Sequence, residues 1–168
     1  MENKQLRLRA VEPSDIDFLY RIENIPAVWS VSFGDAPVSR QMLWDYVNSY
    51  SADIYTDRQL RLIIDVDGTP VGTVDITDFN PRHRRAMLGI AVDPAHQRKG
   101  YARAALNEAI TRCRLTFGMH QLSVMVPRDN TASMNLFESL GFTTSGCLRS
   151  WLRRGQSYID VILLQLML

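Results

Sequence analysis

Cysteine is scarce in this chain. Cys113 and Cys147 are the only 2; they lie far apart with no companions at metal-ligand spacing, which excludes a disulfide framework and a cysteine zinc site. Cys113 falls on the apolar face of an expected helix and reads as a small core residue, not a nucleophile. The 3 histidines, His83, His96 and His120, flank loops or precede a strand with no mutual ligand spacing. Each reads as solvated, and no metal is expected. No apolar run is long enough to span a bilayer, and the polar N-terminus does not resemble a signal peptide. No membrane partner is expected, and a cytoplasmic location is the default. A charge excess is missing too: 19 Lys and Arg nearly cancel 18 Asp and Glu. With no global basic field, nucleic acid is not an expected partner.

What is present is the length and composition of a single globular domain over 1–168, with 46% hydrophobic residues and enough chain for a substantial core. Leu6 and Leu8 alternate with Arg7 and Arg9 in a first half-buried strand, Gln5 to Val11. Pro13 and Ser14 open a helix, with Ser14 as its cap and Leu19, Ile22 and Ile25 as its apolar stripe. A second helix follows Ser39, with Leu43, Tyr46, Val47 and Tyr50 at helical spacing.

Leu60 to Val66 and Pro70 to Asp78 form a hairpin about Asp67-Gly68. Arg85 to Val92 is the next strand, after a loop from Phe79 to Arg84. A helix from Tyr101 to Thr116 buries Ala102, Ala105, Leu106, Ala109, Ile110 and Cys113. Then come a strand over Gln121 to Val126, a helix capped by Asn130 and running to Leu140, and two strands, Thr143 to Arg149 and Tyr158 to Leu166. The order β-α-α-β-β-β-α-β-α-β-β predicts an α+β domain with a largely antiparallel sheet.

The most informative segment is His96-Gln97-Arg98-Lys99-Gly100-Tyr101-Ala102, between a strand and a helix. Unpaired N–H groups and the helix dipole make the start of the Tyr101 helix electropositive. Gly100 allows close backbone approach, Ala102 leaves the first turn uncrowded, and Arg98, Lys99 and Arg103 add positive charge. A pyrophosphate suits such a turn. The spacing fits neither a P-loop nor a dinucleotide fingerprint; the plain alternative is a basic loop that only caps a helix.

At these residues the chain resembles the GNAT acetyltransferase superfamily, whose acetyl-CoA signature is Gln/Arg-x-x-Gly-x-Gly/Ala in a strand-loop-helix unit. Gln97, Arg98, Gly100 and Ala102 match it. Asn130-Thr131-Ala132-Ser133 through Leu140-Gly141-Phe142 resembles the family's Asn-containing helix closing in Leu-Gly-Phe. His83-Arg84-Arg85-Ala86, Val71-Gly72 and Gly155-Gln156-x-Tyr158 resemble the branch of spermidine and ribosomal-protein N-terminal acetyltransferases.

The resemblance implies a GNAT-like central mixed, mostly antiparallel sheet flanked by helices, with acetyl-CoA as acetyl donor. Residue by residue, it implies that backbone at Ile90, Ala91 and Val92 pairs with the pantetheine arm. Gln97, Arg98, Lys99, Gly100, Tyr101 and Ala102, with Arg103, would hold the pyrophosphate, and Asn130 would contact the pantetheine. A small-molecule amine or a peptide α-amine would be the acceptor. Pairing of copies through the C-terminal strands, with Leu163, Leu164, Leu166 and Leu168 as apolar surface, would make a homo-oligomer.

Two positions depart from the family pattern. Phe137 stands where members commonly have a Tyr that protonates the departing thiolate, and Met87 stands where the spermidine enzymes carry a Glu. The polyamine-responsive acidic loop is also thin, with Asp35 alone in Phe33 to Pro37. Asp75 is the leading candidate for binding or deprotonating the amine, with Asp78 expected on the opposite strand face. Asp160 is a second candidate, its alternative being a protective edge-strand charge, and Tyr158 reads as core. Arg149, Arg153 and Arg154 form either a solvated face or a basic rim that would favour an acidic acceptor. A module that binds acyl-CoA without catalysis is the alternative of a different class.

Overall fold

The computed structural model describes residues 5–26, 36–49, 51 and 53–168. Tyr50 of the second expected helix and Asp35 of the thin acidic loop lie outside the described residues. Seven strands form one sheet: β1 (Leu6–Ala10), β2 (Leu60–Val66), β3 (Thr69–Asn80), β4 (Arg85–Val92), β5 (Gln121–Pro127), β6 (Thr143–Arg154) and β7 (Ser157–Met167), in the order β1-β2-β3-β4-β5-β7-β6. Every pairing is antiparallel except β4 with β5. That exception follows from chemistry: a tight turn can only reverse a strand, whereas β4 and β5 are joined by a helical crossover. The β2–β3 turn has Asp67 and Gly68 at φ 51° and 82°, the doubly left-handed geometry that suits a twisted hairpin.

Helices cover both faces. On one side α1 (Ile16–Glu23) and α2 (Arg40–Ser49) bury Phe18, Leu19, Ile22 and Leu43 around Ile63 and Ala91. On the other, α4 (Tyr101–Leu115) lays Ala105, Leu106, Ala109, Ile110 and Cys113 on the sheet, as its apolar spacing predicts, whereas Ala102, expected on the same face, is only half-buried and borders the cavity at the start of the helix. Burial pushes the Cys113 thiol up to about 12, so it is a packing group and not a nucleophile. The same side holds α5 (Thr131–Glu138), whose first turn is capped by Asn130 Oδ1 accepting from the Ser133 N–H at 3.1 Å.

Local surprises have local causes. Ser14 does not cap α1; Glu12 and Asp15 form a reciprocal capping box around a 3-10 turn at Pro13–Asp15, and α1 begins only after it. A short helix, α3 (Ile54–Asp57), is capped by Asp53 accepting from the Tyr55 N–H. Four residues with one buried side chain, Ile54, show no periodicity to read in a sequence. Phe79 and Asn80 extend β3 instead of beginning a loop, because the Phe79 ring is buried against Tyr55 and Phe117. The last hairpin is longer than its apolar pattern suggested, and Tyr158 is exposed at 62%, not core. β7 lies between β5 and β6, so Asp160 is not on an edge strand. Leu164 is fully buried, and Leu166 and Leu168 pack against the core.

A charged cluster fastens β1. Arg9 donates through Nε to Asp65 Oδ2 at 2.8 Å, and through Nη1 and Nη2 to the two Asp15 oxygens at 2.7 and 2.8 Å. Burial alone would raise the Asp65 carboxyl, but Arg9 and the Gly68 N–H hold it below the ordinary range. A depressed carboxyl adds stability in full above its unfolded value of about 3.9, and that stability is lost as pH falls through the lower folded value. The urea midpoint of the wild type should therefore fall more steeply below about pH 4 than that of Asp65→Asn. Parallel curves would contradict this.

Candidate active site at the split between β4 and β5

The sheet opens in the middle. β4 and β5 pair only over Arg85, Ala86 and Met87 with Gln121, Leu122 and Ser123. Beyond them β4 continues along β3 as far as Val92 opposite Gly72, while β5 follows β7 to Pro127. From Leu88 onward the β5-facing edge of β4 has no strand partner among the described residues, so the backbone of Ile90, Ala91 and Val92 borders a slot. Ile90 and Val92 pack with the α4 side and Ala91 with the α1–α2 side.

The slot leads to the start of α4. After β4, Asp93 caps a 3-10 turn at Pro94–His96 by accepting from the Ala95 N–H at 3.1 Å. Arg98 and Gly100 then take φ 60° and 81°, and Gly100 is the N-cap of α4. Glycine supplies no capping side chain, so the first N–H groups of α4 are left to an external acceptor. A cavity of about 290 Å³ lies there, walled by Val92, His96, Gln97, Arg98, Gly100 to Arg103, and by Ala132 and Leu136 of α5.

Gln97 Nε2 donates to the Val92 carbonyl at 3.1 Å, Lys99 Nζ to the Ala95 carbonyl at 3.1 Å, and Arg103 Nη2 to the Ser139 carbonyl at 3.3 Å. Gln97 and Lys99 thus brace the turn, and Arg98 and Arg103 border its cavity. A Cβ at Gly100 would meet no described residue within 4 Å, so no described side chain crowds the backbone there. Left-handed turn, uncapped helix and flanking cations together fit a diphosphate.

Asp93 was not singled out by sequence reasoning. It is buried and accepts from Arg21 Nη1 of α1 at 2.5 Å. Burial would raise its carboxyl, yet Arg21 and the Ala95 N–H keep it low. Its partner lies 72 residues earlier, too far for any local pattern to show.

A second cavity, about 220 Å³, lies on the α1–α2 face between Tyr46, Gln59, Leu60, Arg61, Asp75 and Thr77. Both Asp75 oxygens accept from Arg61, at 2.6 Å from Nε and 3.1 Å from Nη2, and Arg61 Nη1 also reaches Glu23 Oε1 at 2.6 Å. Burial works against the Arg61 charge, but Asp75 and Glu23 more than offset it and hold the guanidinium above its ordinary value. Asp78 sits in a β-bulge at φ 46°, pairs with Arg85 and is not among the residues that line this cavity.

Asp160 accepts from the Ser150 N–H at 2.9 Å and Arg128 Nη1 at 2.8 Å; the Ser150 contact above all holds its carboxyl low. Arg154 pairs with Asp129, and none of Arg149, Arg153 and Arg154 lines either cavity. Phe137 is buried edge-on to Phe142, with ring centroids 5.2 Å apart, so the position lies in the core. Among the described residues no group of three or more His, Cys, Asp and Glu is placed to hold a metal, and no helix is long and apolar enough to cross a membrane.

Comparison with known proteins places this geometry. The chain is 29% identical over 147 residues to the spermidine N(1)-acetyltransferase of Vibrio cholerae, covering 87% of this chain and 83% of that protein. It superposes on the crystal structure of the Vibrio cholerae spermidine N-acetyltransferase in complex with CoA and spermine with a TM-score of 0.89, at 27% identity, covering 97% of this chain and 95% of that one. Over 80 residues, 48% of this chain and 53% of the relative, it is 35% identical to the ribosomal protein bS18-alanine N-acetyltransferase of Salmonella typhimurium. The acetyltransferase (GNAT) domain model matches residues 5–143. With most of its length matched and its sheet split beside an uncapped helix, the chain belongs to the GNAT family of acetyltransferases.

Proposed function

We propose that this enzyme transfers acetyl from acetyl-CoA directly to a primary amine, with a diamine or polyamine as acceptor. The carrying observation is the open edge of β4 running into the uncapped α4 terminus. The backbone of Ile90, Ala91 and Val92 serves the pantetheine arm, Gln97 to Ala102 with Arg103 hold the pyrophosphate, and Asn130, engaged in its cap through Oδ1, contacts pantetheine through its remaining amide group. Acetyl-CoA supplies the thioester, and transfer forms a C–N bond as the C–S bond breaks. An N–H near Ala91 polarises the carbonyl. Holding both reactants in one slot supplies proximity without a covalent enzyme intermediate.

Asp75 acts as a binding carboxylate: its oxygens already accept from Arg61, and their remaining lone pairs suit an ammonium. With Phe137 buried in the core, a CoA thiolate, resembling Cys at about 8.5, leaves without a protein acid at that position. Two relatives support these classes of acceptor, one a spermidine N(1)-acetyltransferase and the other a ribosomal protein bS18-alanine N-acetyltransferase. The second reading, a peptide α-amine, gains from chemistry, because an amine near about 8 deprotonates more readily than one near about 10.4. Association of copies is supported by the unpaired edge of β6, with Trp151 exposed beside it.

A panel of polyamines, diamines and N-terminal peptides, read by release of the CoA thiol, separates the acceptors. Turnover of diamines or polyamines is expected, and turnover of peptides alone would overturn the assignment.

A further inference from the structure

We propose that His96 is a ligand of the donor diphosphate: as an imidazolium it donates through Nε2 to a phosphate oxygen, while its Nδ1–H points at Asp93, which holds the ring in place. The inference rests on the reading of the α4 start as a diphosphate cradle and adds a residue to it.

His96, read from the sequence as solvated, is only partly exposed. It lines the cavity at the start of α4. Its Nδ1 is sealed from solvent with no hydrogen-bond partner among the described residues, whereas Nε2 is not sealed. One ring nitrogen is thus turned inward and the other left accessible at the cavity wall. Nδ1 lies 3.6 Å from Asp93 Oδ2, and a small shift of the ring brings it within hydrogen-bond range. Asp93 itself is fixed, with Oδ2 accepting from Arg21 and Oδ1 from the Ala95 N–H.

This placement decides which form of the ring can serve. A neutral imidazole with its proton on Nε2 aims the Nδ1 lone pair at the Asp93 carboxylate, so that two acceptors face each other. Moving the proton to Nδ1 removes that conflict but turns Nε2 into an acceptor, which repels a phosphate oxygen. Only the doubly protonated ring donates to both anions.

The surrounding charges tie that second proton to the ligand. Asp93 and, from α1, Arg21 stand at the buried side of the ring. Arg98 of the turn and Tyr101 and Arg103 of α4 line the cavity with His96, and the α5 residues there, Ala132 and Leu136, carry no charge. Lys99 is engaged with the Ala95 carbonyl. In the free protein the neighbouring cations oppose a further positive charge; a diphosphate reverses the balance and draws a proton onto the ring. Histidine ordinarily changes charge between about pH 5 and 8, and the other residue types on this wall do not.

The test uses acetyl-dephospho-CoA, because the 3′-phosphate of acetyl-CoA is a monoester that itself titrates at about pH 6. Calorimetry at about pH 6 and about pH 8, in two buffers of different ionisation enthalpy, reads affinity and proton uptake together. Wild type should bind about tenfold more tightly at the lower pH and take up as much as about one proton per site. His96→Gln should bind equally at both and take up none. Asp93→Asn keeps an oxygen for the Ala95 N–H but loses the anion, and its pH dependence should shrink to about threefold or less. A wild-type affinity that does not change with pH overturns the proposal, as does a pH dependence that survives in His96→Gln. Wild-type proton uptake in Asp93→Asn overturns the part assigned to Asp93, and His96→Gln decides alone if Asp93→Asn does not fold. If wild type binds the probe and acetyl-CoA at neither pH, the donor reading fails first and this inference with it.

Discussion

Gly100→Val should weaken acetyl-CoA binding by about 100-fold or more while leaving the fold largely intact. Two effects act together. Gly100 sits at φ 81°, where a β-branched residue costs about 1–2 kcal/mol and shifts toward an extended conformation. That shift turns away the N–H groups that open α4, and each charge-assisted bond to a phosphate oxygen is worth about 1.5–3 kcal/mol. Two such losses exceed the 2.8 kcal/mol or so that a 100-fold change in affinity represents. Stability should drop by only about 1 kcal/mol, because Gly100 is exposed and a Cβ there touches nothing within 4 Å. Titration calorimetry with acetyl-CoA and a thermal melt decide the matter; near-normal affinity would show that the phosphates do not lie against this turn.

Gly72→Ala should have the next largest effect, by a different route. The added methyl would stand 2.4 Å from the Ala91 carbonyl oxygen and 3.1 Å from Val92 Cα, both backbone atoms of β4 that no rotamer change can move aside. Overpacking of this kind costs about 1–3 kcal/mol. The strand must yield just where it borders the slot, and a displacement near 1 Å costs about 100-fold in a positioned reaction. The expected result is a lower Tm together with a fall in kcat/KM at least ten times larger than Gly89→Ala produces, since the latter meets only ordinary contact. A normal kcat/KM would show that the β4 edge at Ala91 tolerates displacement, against its proposed role.

The contrast between these glycines shows where a sequence is legible. Gly100 announces itself because everything that defines it, the strand before, the cations beside and the helix after, lies within a few residues. Asp67-Gly68, the buried face of α4 and the Asn130 cap are local in the same sense, and each stands as expected. Arg61 is different: its partners Asp75 and Glu23 lie 14 and 38 residues away, so no spacing rule connects them. Asp78, expected by strict alternation on the face opposite Asp75, does stand outside the Arg61–Asp75 cavity, but in a bulge before Asn80 that alternation alone does not foresee. Tyr158 is exposed because it lies beyond Val161, the last β7 residue paired with β5, and the edge-strand alternative for Asp160 failed for a topological reason. The final strand is inserted between β5 and β6, an order that periodicity within a strand does not reveal. Asp93, likewise, gains its meaning from Arg21 across the fold.

The early end of the β4–β5 pairing carries a thermodynamic consequence. A sheet interior that withholds partners from one strand edge leaves those backbone groups to water, so the free protein forgoes stability that continued pairing would have provided. Any molecule that lies along β4 repairs the gap, and by mass action its binding stabilises the folded state in proportion to the logarithm of its concentration. Resistance to unfolding would thus report donor supply: the abundance of the protein in a cell would follow the level of acetyl-CoA through the strand edge proposed to bind it.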